Sequence, residues 1–437
     1  MKTWRSSFLP GVALVSALVG ILSGCLYIQS SSNTGVSFEE AKAVTNRSLS
    51  AELPMSIKAV EVENRFGFVH VVGVESGGAG WSWRLSVGAK TDTLACQAAE
   101  AANCQAVMDG DKLRLTVQLS DSFGNARFQS DVEVRVPNSA AVRVANKFGE
   151  LRVSGVNGGV DVNNQNGAMA LSHLGGSVRA KNSFGSLNLE DTGPAVLVNR
   201  NGSLDVNQVH GALEAESSFS AMKVDDVFGA VKLKNQNGRT EAAHVKGDAE
   251  IETSFAELKA MEIEGKAVLR NRNGRIEVTG VTGNATVTTS FAEVRADNIG
   301  GELIIENQNG RVRTSKIAGN LKVQSSFAEM DLEGSGRRIE ARNRNGAIRL
   351  RAVSSQLEAI DAETSFANLE LRLPAGLKPA VQAKTKFADV ESDFPVISRA
   401  EGQDPFEGVA SGIPRIQLRN QSGKIRITGE RLAEKND

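Results

Sequence analysis

The sequence predicts an all-β fold, a parallel β-helix or β-solenoid built from units of about 18 residues, with a β-rich N-terminal cap. Three observations lead there. A dipeptide of Phe or Asn followed by a small residue recurs every 17 or 18 residues; apolar residues alternate in short runs between these marks; and the chain is rich in turn-formers, with 43 Gly and 5% aromatics in 437 residues.

The marks stand at Phe148, Asn166, Phe184, Asn201, Phe219, Asn237, Phe255, Asn273, Phe291, Asn309, Phe327 and Asn345, with Phe and Asn alternating throughout. Looser copies follow at Phe366 and Phe387, and a last one at Asn420-Gln421-Ser422-Gly423. Counting from the first Asn of Asn-x-Asn-Gly as position 1, apolar or small residues fill positions 6, 8, 11, 15 and 17. In one unit these are Ile276, Val278, Val281, Ala285 and Val287. Glycine holds position 13 at Gly247, Gly265, Gly283, Gly301 and Gly319. Period-two runs broken by Gly and Asn at fixed offsets mean short strands joined by tight turns. Such a unit cannot bury its apolar face alone, so units stack.

A turn of 18 residues competes with one of 36 that has two-fold internal similarity. Position 5 reads Arg239, Glu257, Arg275, Glu293, Arg311, Glu329. With 18 residues per turn, opposite charges stack at the ~4.8 Å strand spacing; with 36, like charges do. A 36-residue turn would instead give unbroken Asn and Phe ladders. Position 5 favours 18, and about fifteen turns at ~4.8 Å each. Alternating Phe and Asn at position 3 predicts large and small groups interleaving in a narrow core, with Phe255, Phe291 and Asn273 inward and position 2 outward.

The flanks differ. Lys2 and Arg5 precede an apolar run from Phe8 to Leu22, a signal segment too short to span a membrane. Leu22-Ser23-Gly24-Cys25 resembles the bacterial lipobox, which implies cleavage after residue 24 and lipidation of Cys25. Leu26, where lipoproteins retained in the inner membrane carry Asp, implies the outer membrane in a Gram-negative host. Residues 25–55 read as lipidated Cys and tether, with Ser30, Ser31 and Ser32 at its start. Residues 56–138 read as the cap, covering the strand edges that a solenoid end exposes. It carries a unit-like Glu63-Asn64-Arg65-Phe66-Gly67, and core tryptophans Trp81 and Trp83. Cys96 and Cys104 predict a disulfide, because exported cysteines usually pair; the rival is two buried thiols. Residues 139–393 are the repeats, 394–414 an insertion loop, and 415–437 the final repeat strand and a polar tail.

Fifty basic and fifty-one acidic residues give a formal net charge of −1, so nothing points to nucleic acid. No catalytic cluster breaks the pattern in one place, and neither a metal nor a cofactor is expected. His173 and His244 share position 10, and His210 lies at position 12; they read as solvated surface, with a histidine stripe for metal as the rival.

The unit Asn-x-Asn-Gly-x-Ile-x-Val, with its preceding Gly-x-Ala/Leu-x-Val strand, resembles the bacterial putative-adhesin family of β-strand-repeat envelope proteins across residues 56–429. The lipid anchor is read from the lipobox, and the resemblance implies a non-enzymatic envelope scaffold or adhesin that binds a glycan, peptidoglycan or protein. It also implies a rival, an envelope-stress component that takes a protein partner through its cap. A polysaccharide-active β-helix enzyme is the third reading.

Overall fold

The computed structural model describes residues 41–398 and 404–430; the expected signal segment, the expected lipidation site Cys25, the start of the expected tether and the polar tail from 431 lie outside them. The fold is nearly all β, 59% strand and 3% helix. Parallel coils stacked roughly 18 residues apart form a β-solenoid of about 13 turns. Register settles the turn length. Ile276 pairs with Val294, and Val294 with Val312, each 18 residues on. The chain divides into two compact units, Met1–Asp205 and Val206–Asp437.

In the second unit each coil holds two short strands, such as Ala285–Thr289 and Val294–Ile299. Positions 15, 17, 6, 8 and 11 point inward, and Ala285, Val287, Val294, Ala296 and Ile299 are all buried. Each Val or Ile contributes about 1.5–3 kcal/mol when buried, and neighbouring coils share that burial.

Strict alternation fails between positions 8 and 11, which both face inward. The chain solves this with a left-handed residue at position 10. Asp226, His244, Glu262, Asn298 and Lys316 have φ between 50° and 57°, and Gly280 sits there at 72°. A β-branched side chain is a poor fit for that conformation. Gly280→Val should therefore destabilise by about 1–2 kcal/mol, while Gly280→Asn stays near neutral, since Asn298 holds the same place one coil on. Urea unfolding of the two variants checks this.

The C-terminal order differs from the expectation. The strands Arg415–Asn420 and Ile425–Glu430 do not close the stack. They lie between the coil of Ala359–Thr364 and Leu369–Pro374 and the coil of Ala380–Lys384 and Val390–Ser392, parallel to both. The chain leaves a slot after Pro374, builds the next coil, and fills the slot with residues 415–430.

The first unit has a similar excursion. Ala59–Phe66 and Val69–Val74 form an ordinary coil, parallel to Ala141–Phe148 and Leu151–Ser154 on one side. On the other side lie Lys112–Gln118 and Arg127–Pro137, again parallel. Beyond these the pairing turns antiparallel. Gly80–Ala89 lies on Arg127–Pro137, Ala43–Glu52 on Gly80–Ala89, and Asn103–Asp109 on Lys112–Gln118. Residues 43–52, expected in the tether, are thus an edge strand of the cap.

The helix Asp92–Ala101 starts at Thr91, whose Oγ1 accepts from Leu94 N at 3.3 Å. It buries Ala95 against Ala43 and Ala89. Trp83 is fully buried and donates from Nε1 to Ser130 Oγ at 2.8 Å.

The expected disulfide is absent: Cys96 and Cys104 are free thiols. The helix keeps Cys96 beside Thr45, with Sγ 3.5 Å from Oγ1. Cys104 lies past the helix, on the strand Asn103–Asp109, and burial pushes its thiol up to about 12.

Candidate functional site

The corner between the two strands of a coil spans positions 1 to 5. Position 1 points inward, positions 2 and 3 face outward together, and position 4 returns to the interior. In one coil Thr289 and Ala292 are buried while Phe291 is exposed; in the next, Asn307 and Gly310 are buried while Asn309 is exposed. The expectation that the Phe column is core is therefore corrected. In the second unit Phe219, Phe255, Phe291, Phe327, Phe366 and Phe387 are between 57% and 76% exposed, and in the first unit Phe184 is 55% exposed.

The interior has no room for a ring at this corner. A Cβ on Gly310 would stand 1.7 Å from the Ala292 carbonyl oxygen, and one on Gly274 1.8 Å from that of Ala256. The coils meet there backbone against backbone.

The buried ladder is instead position 1, which alternates Asn235, Thr253, Asn271, Thr289 and Asn307 in the second unit. Asn307 Nδ2 donates to the Gly310 carbonyl at 2.7 Å and across to the Ala292 carbonyl at 3.0 Å, while its Oδ1 accepts from Gly310 N at 3.2 Å. One Asn thus ties two coils, so every second coil suffices. The intervening Thr253 and Thr289 hydroxyls are buried without a hydrogen-bond partner. In the first unit Asn146, Asn164, Asn182 and Asn199 take position 1 in successive coils.

Position 3 is then a column on the surface. Its asparagines lie low: Asn237 Nδ2 reaches back to the Ser218 carbonyl at 3.3 Å, and in the first unit Asn201 Nδ2 reaches Ser183 at 3.2 Å. Asn273 and Asn309 are exposed and Asn166 and Asn345 half-buried, each in a coil next to a Phe coil. Beside the column runs a polar groove of about 740 Å³, lined by residues including Ser290, Gln308, Ser326, Arg344, Glu306 and Arg342.

The fold-back at the C-terminus bears on this column. Along the chain Phe366 is followed by Phe387, breaking the alternation. In space the coil of Asn420 lies between them. Ser422 N donates to the Ser365 carbonyl and Phe387 N to the Gln421 carbonyl, while Asn420 Nδ2 reaches the Ala367 carbonyl at 2.7 Å. The spatial order is Phe327, Asn345, Phe366, Ser422, Phe387.

The charges at position 5 follow the same phase. Glu257, Glu293 and Glu329 belong to Phe coils, and Arg239, Arg275 and Arg311 to Asn coils. Arg239 pairs with Glu257 at 3.5 Å, and Arg311 with Glu329. Exposed pairs of this kind contribute about 0–1 kcal/mol each.

Other chemistry is sparse. Asp225, Asp226 and His244 bring ligand atoms within 4.8 Å of one another, the one such group among the described residues. Asp225 Oδ1 accepts from His244 Nδ1 at 2.7 Å, and this hydrogen bond holds the imidazole pKa above its ordinary value. His173 shares the left-handed position 10 with His244 at φ 54°, and His210 stacks on Phe228 at 5.0 Å. In the cap, burial holds His70 below its usual value, with Glu150 at 3.9 Å, beyond hydrogen-bond reach. Burial likewise raises Asp131, although it accepts from Phe68 N at 3.1 Å and Gln129 Nε2 at 2.9 Å.

No family description matches this chain, and no curated protein is similar to it in sequence. Two solved structures match at low TM-score. One is a putative cell adhesion protein from Clostridium sporogenes, 8% identical with a TM-score of 0.19, covering 89% of this chain and 100% of its own. The other is a putative lipid binding protein from Parabacteroides distasonis, 8% identical with a TM-score of 0.23, covering 69% of this chain and 96% of its own. Similarity at that level carries no function across.

Proposed function

We propose that this chain is a non-enzymatic cell-envelope lipoprotein, anchored through Cys25, whose solenoid is a scaffold or adhesin and whose position 3 corner is its binding surface. The supporting observation is the exposed Phe column. A core needs these rings nowhere, since positions 6, 8, 11, 15 and 17 fill the interior. An apolar column held in water at every second coil is an interaction surface or a solubility liability. Its low Asn residues and polar groove give the alternation of apolar and hydrogen-bonding groups that recognition surfaces use.

Two measurements test the parts of this reading. Cys25→Ser should move the protein from the membrane pellet to the soluble fraction; continued pelleting after a high-salt wash contradicts the anchor. Replacing Phe255, Phe291 and Phe327 by Ser should lower retention of the purified chain on isolated cell envelopes at least tenfold. Equal retention of the triple variant contradicts the binding surface.

A further inference from the structure

We infer that the Phe corner of residues 206–437 takes a second copy of this chain, antiparallel to the first, with the two Phe columns interdigitated one coil out of register. This rests on the reading of the corner as a binding surface and names its partner.

Spacing comes first. Coils at ~4.8 Å place the rings of one column ~9.6 Å apart, too far to touch, since aromatic pairs meet at about 4.5–7 Å. The slot between two rings is one ring thick, and its floor is a small polar residue such as Asn273, Asn309 or Ser422. The molecule itself shows the contact that fills such a slot. Where adjacent coils both carry Phe at position 3, in the first unit, Phe66 and Phe148 stack at 5.2 Å with 13° between their planes. A ring inserted from outside would find that contact on both faces. A partner supplying rings at the same two-coil interval is another copy of the column.

Charge agrees with the same offset. Shifting one copy by a single coil sets each Phe coil against an Asn coil. An antiparallel two-fold axis across the corner keeps position 5 opposite position 5, so Glu257, Glu293 and Glu329 face arginines. Glu293 is 31% exposed and Arg311 41%, although each is already paired within its own copy, Glu293 with Arg313 and Arg311 with Glu329, so the intermolecular pairs share these charges. Size and charge alternate in one phase, so a single offset satisfies both. Beyond Glu329 position 5 is uncharged at Ala347 and Asn368, and charge returns in the same phase with Lys424 beside Ser422 and Asp389 beside Phe387. In that register four rings of each copy, Phe219, Phe255, Phe291 and Phe327, 57–62% exposed, present on the order of 500 Å², and the polar residues of the corner between them extend the contact toward the ~800 Å² per partner of a stable interface.

The test uses the full mature chain carrying Cys25→Ser, in sedimentation equilibrium. The expected species is a dimer, weakened at least tenfold by Phe291→Ser with Phe327→Ser. Two charge variants sharpen it. Glu257, Glu293 and Glu329 all changed to Arg should give a monomer, as should Arg239, Arg275 and Arg311 all changed to Glu; an equimolar mixture should dimerise again. Circular dichroism establishes that each variant is folded. Mixed variants that stay monomeric, or a parent chain monomeric at its highest soluble concentration, overturn the proposal. If that monomeric parent still binds envelopes through its Phe column, the binding surface survives with another occupant, an extended glycan among them. If it does not, both readings fail together.

Discussion

Deleting residues 415–437 should unravel the C-terminal coil although that coil precedes the deletion in sequence. Ala380–Lys384 pairs with Arg415–Asn420, and Val390–Ser392 with Ile425–Glu430; the further contact is an isolated bridge from Val381 to Val396. Removing the inserted coil also strips Ile416, Leu418, Ile425 and Ile427 from the core. At about 1.5–3 kcal/mol each, their burial is worth on the order of 10 kcal/mol. The ion pairs from Arg351 to Glu430 and from Arg419 to Asp361, both at 3.0 Å, go with them. Hydrogen exchange should show residues 380–392 unprotected and residues 359–374 weakened as a new edge. Coils before 334 should keep their protection, because solenoid stability is close to a sum over neighbours. Unchanged protection at 380–392 would contradict the inserted order.

Gly310→Ala should be the most damaging single methyl addition in the repeats. The new Cβ would lie 1.7 Å from the Ala292 oxygen and 2.1 Å from its carbon. Neighbouring backbones must separate, which breaks the Asn307 bridge. Overpacking together with a lost buried hydrogen bond gives about 3 kcal/mol or more. Alternate coils carry Ala at this position beside Thr, as Thr289 and Ala292 show, so the restriction belongs to the Asn–Gly pair. Asn307→Thr with Gly310→Ala should therefore cost at least ~1 kcal/mol less than the two single costs added together. Urea unfolding of the four proteins measures this, and simple additivity would show that Asn307 does not draw the coils together.

Much of the fold was legible because burial in a solenoid repeats. Ile276, Val278 and Val281 on one strand, and Ala285 and Val287 on the next, could be placed from period alone. The opposite charges at position 5 gave the 18-residue turn. The corner was misread because period two was carried through it. Two successive outward residues at positions 2 and 3 break the alternation, and volume differences at Phe291 and Asn309 were taken for interleaving in a core.

The left-handed column left a signal that went unused. His244, Glu262, Gly280, Asn298 and Lys316 share nothing chemically, yet none is β-branched. A break in the pattern likewise marked the inserted coil: two Phe units in succession, at Phe366 and Phe387, then a stray Asn unit at Asn420. Only the compartment points to a Cys96 to Cys104 pairing. The helix Asp92–Ala101 and the strand after it hold the two thiols in different surroundings.

The central claim is that the Phe column is kept for contact and not for stability. The most direct test is the urea midpoint of the chain with Phe255, Phe291 and Phe327 all replaced by Ser. Exposed sites of this kind change stability by less than ~0.5 kcal/mol each, so the midpoint, taken at a protein concentration where both chains are monomeric, should move little. Three core phenylalanines would together cost about 9 kcal/mol or more. A collapse of that size, with lost protection between Val287 and Leu303, would return the column to the core and contradict the account.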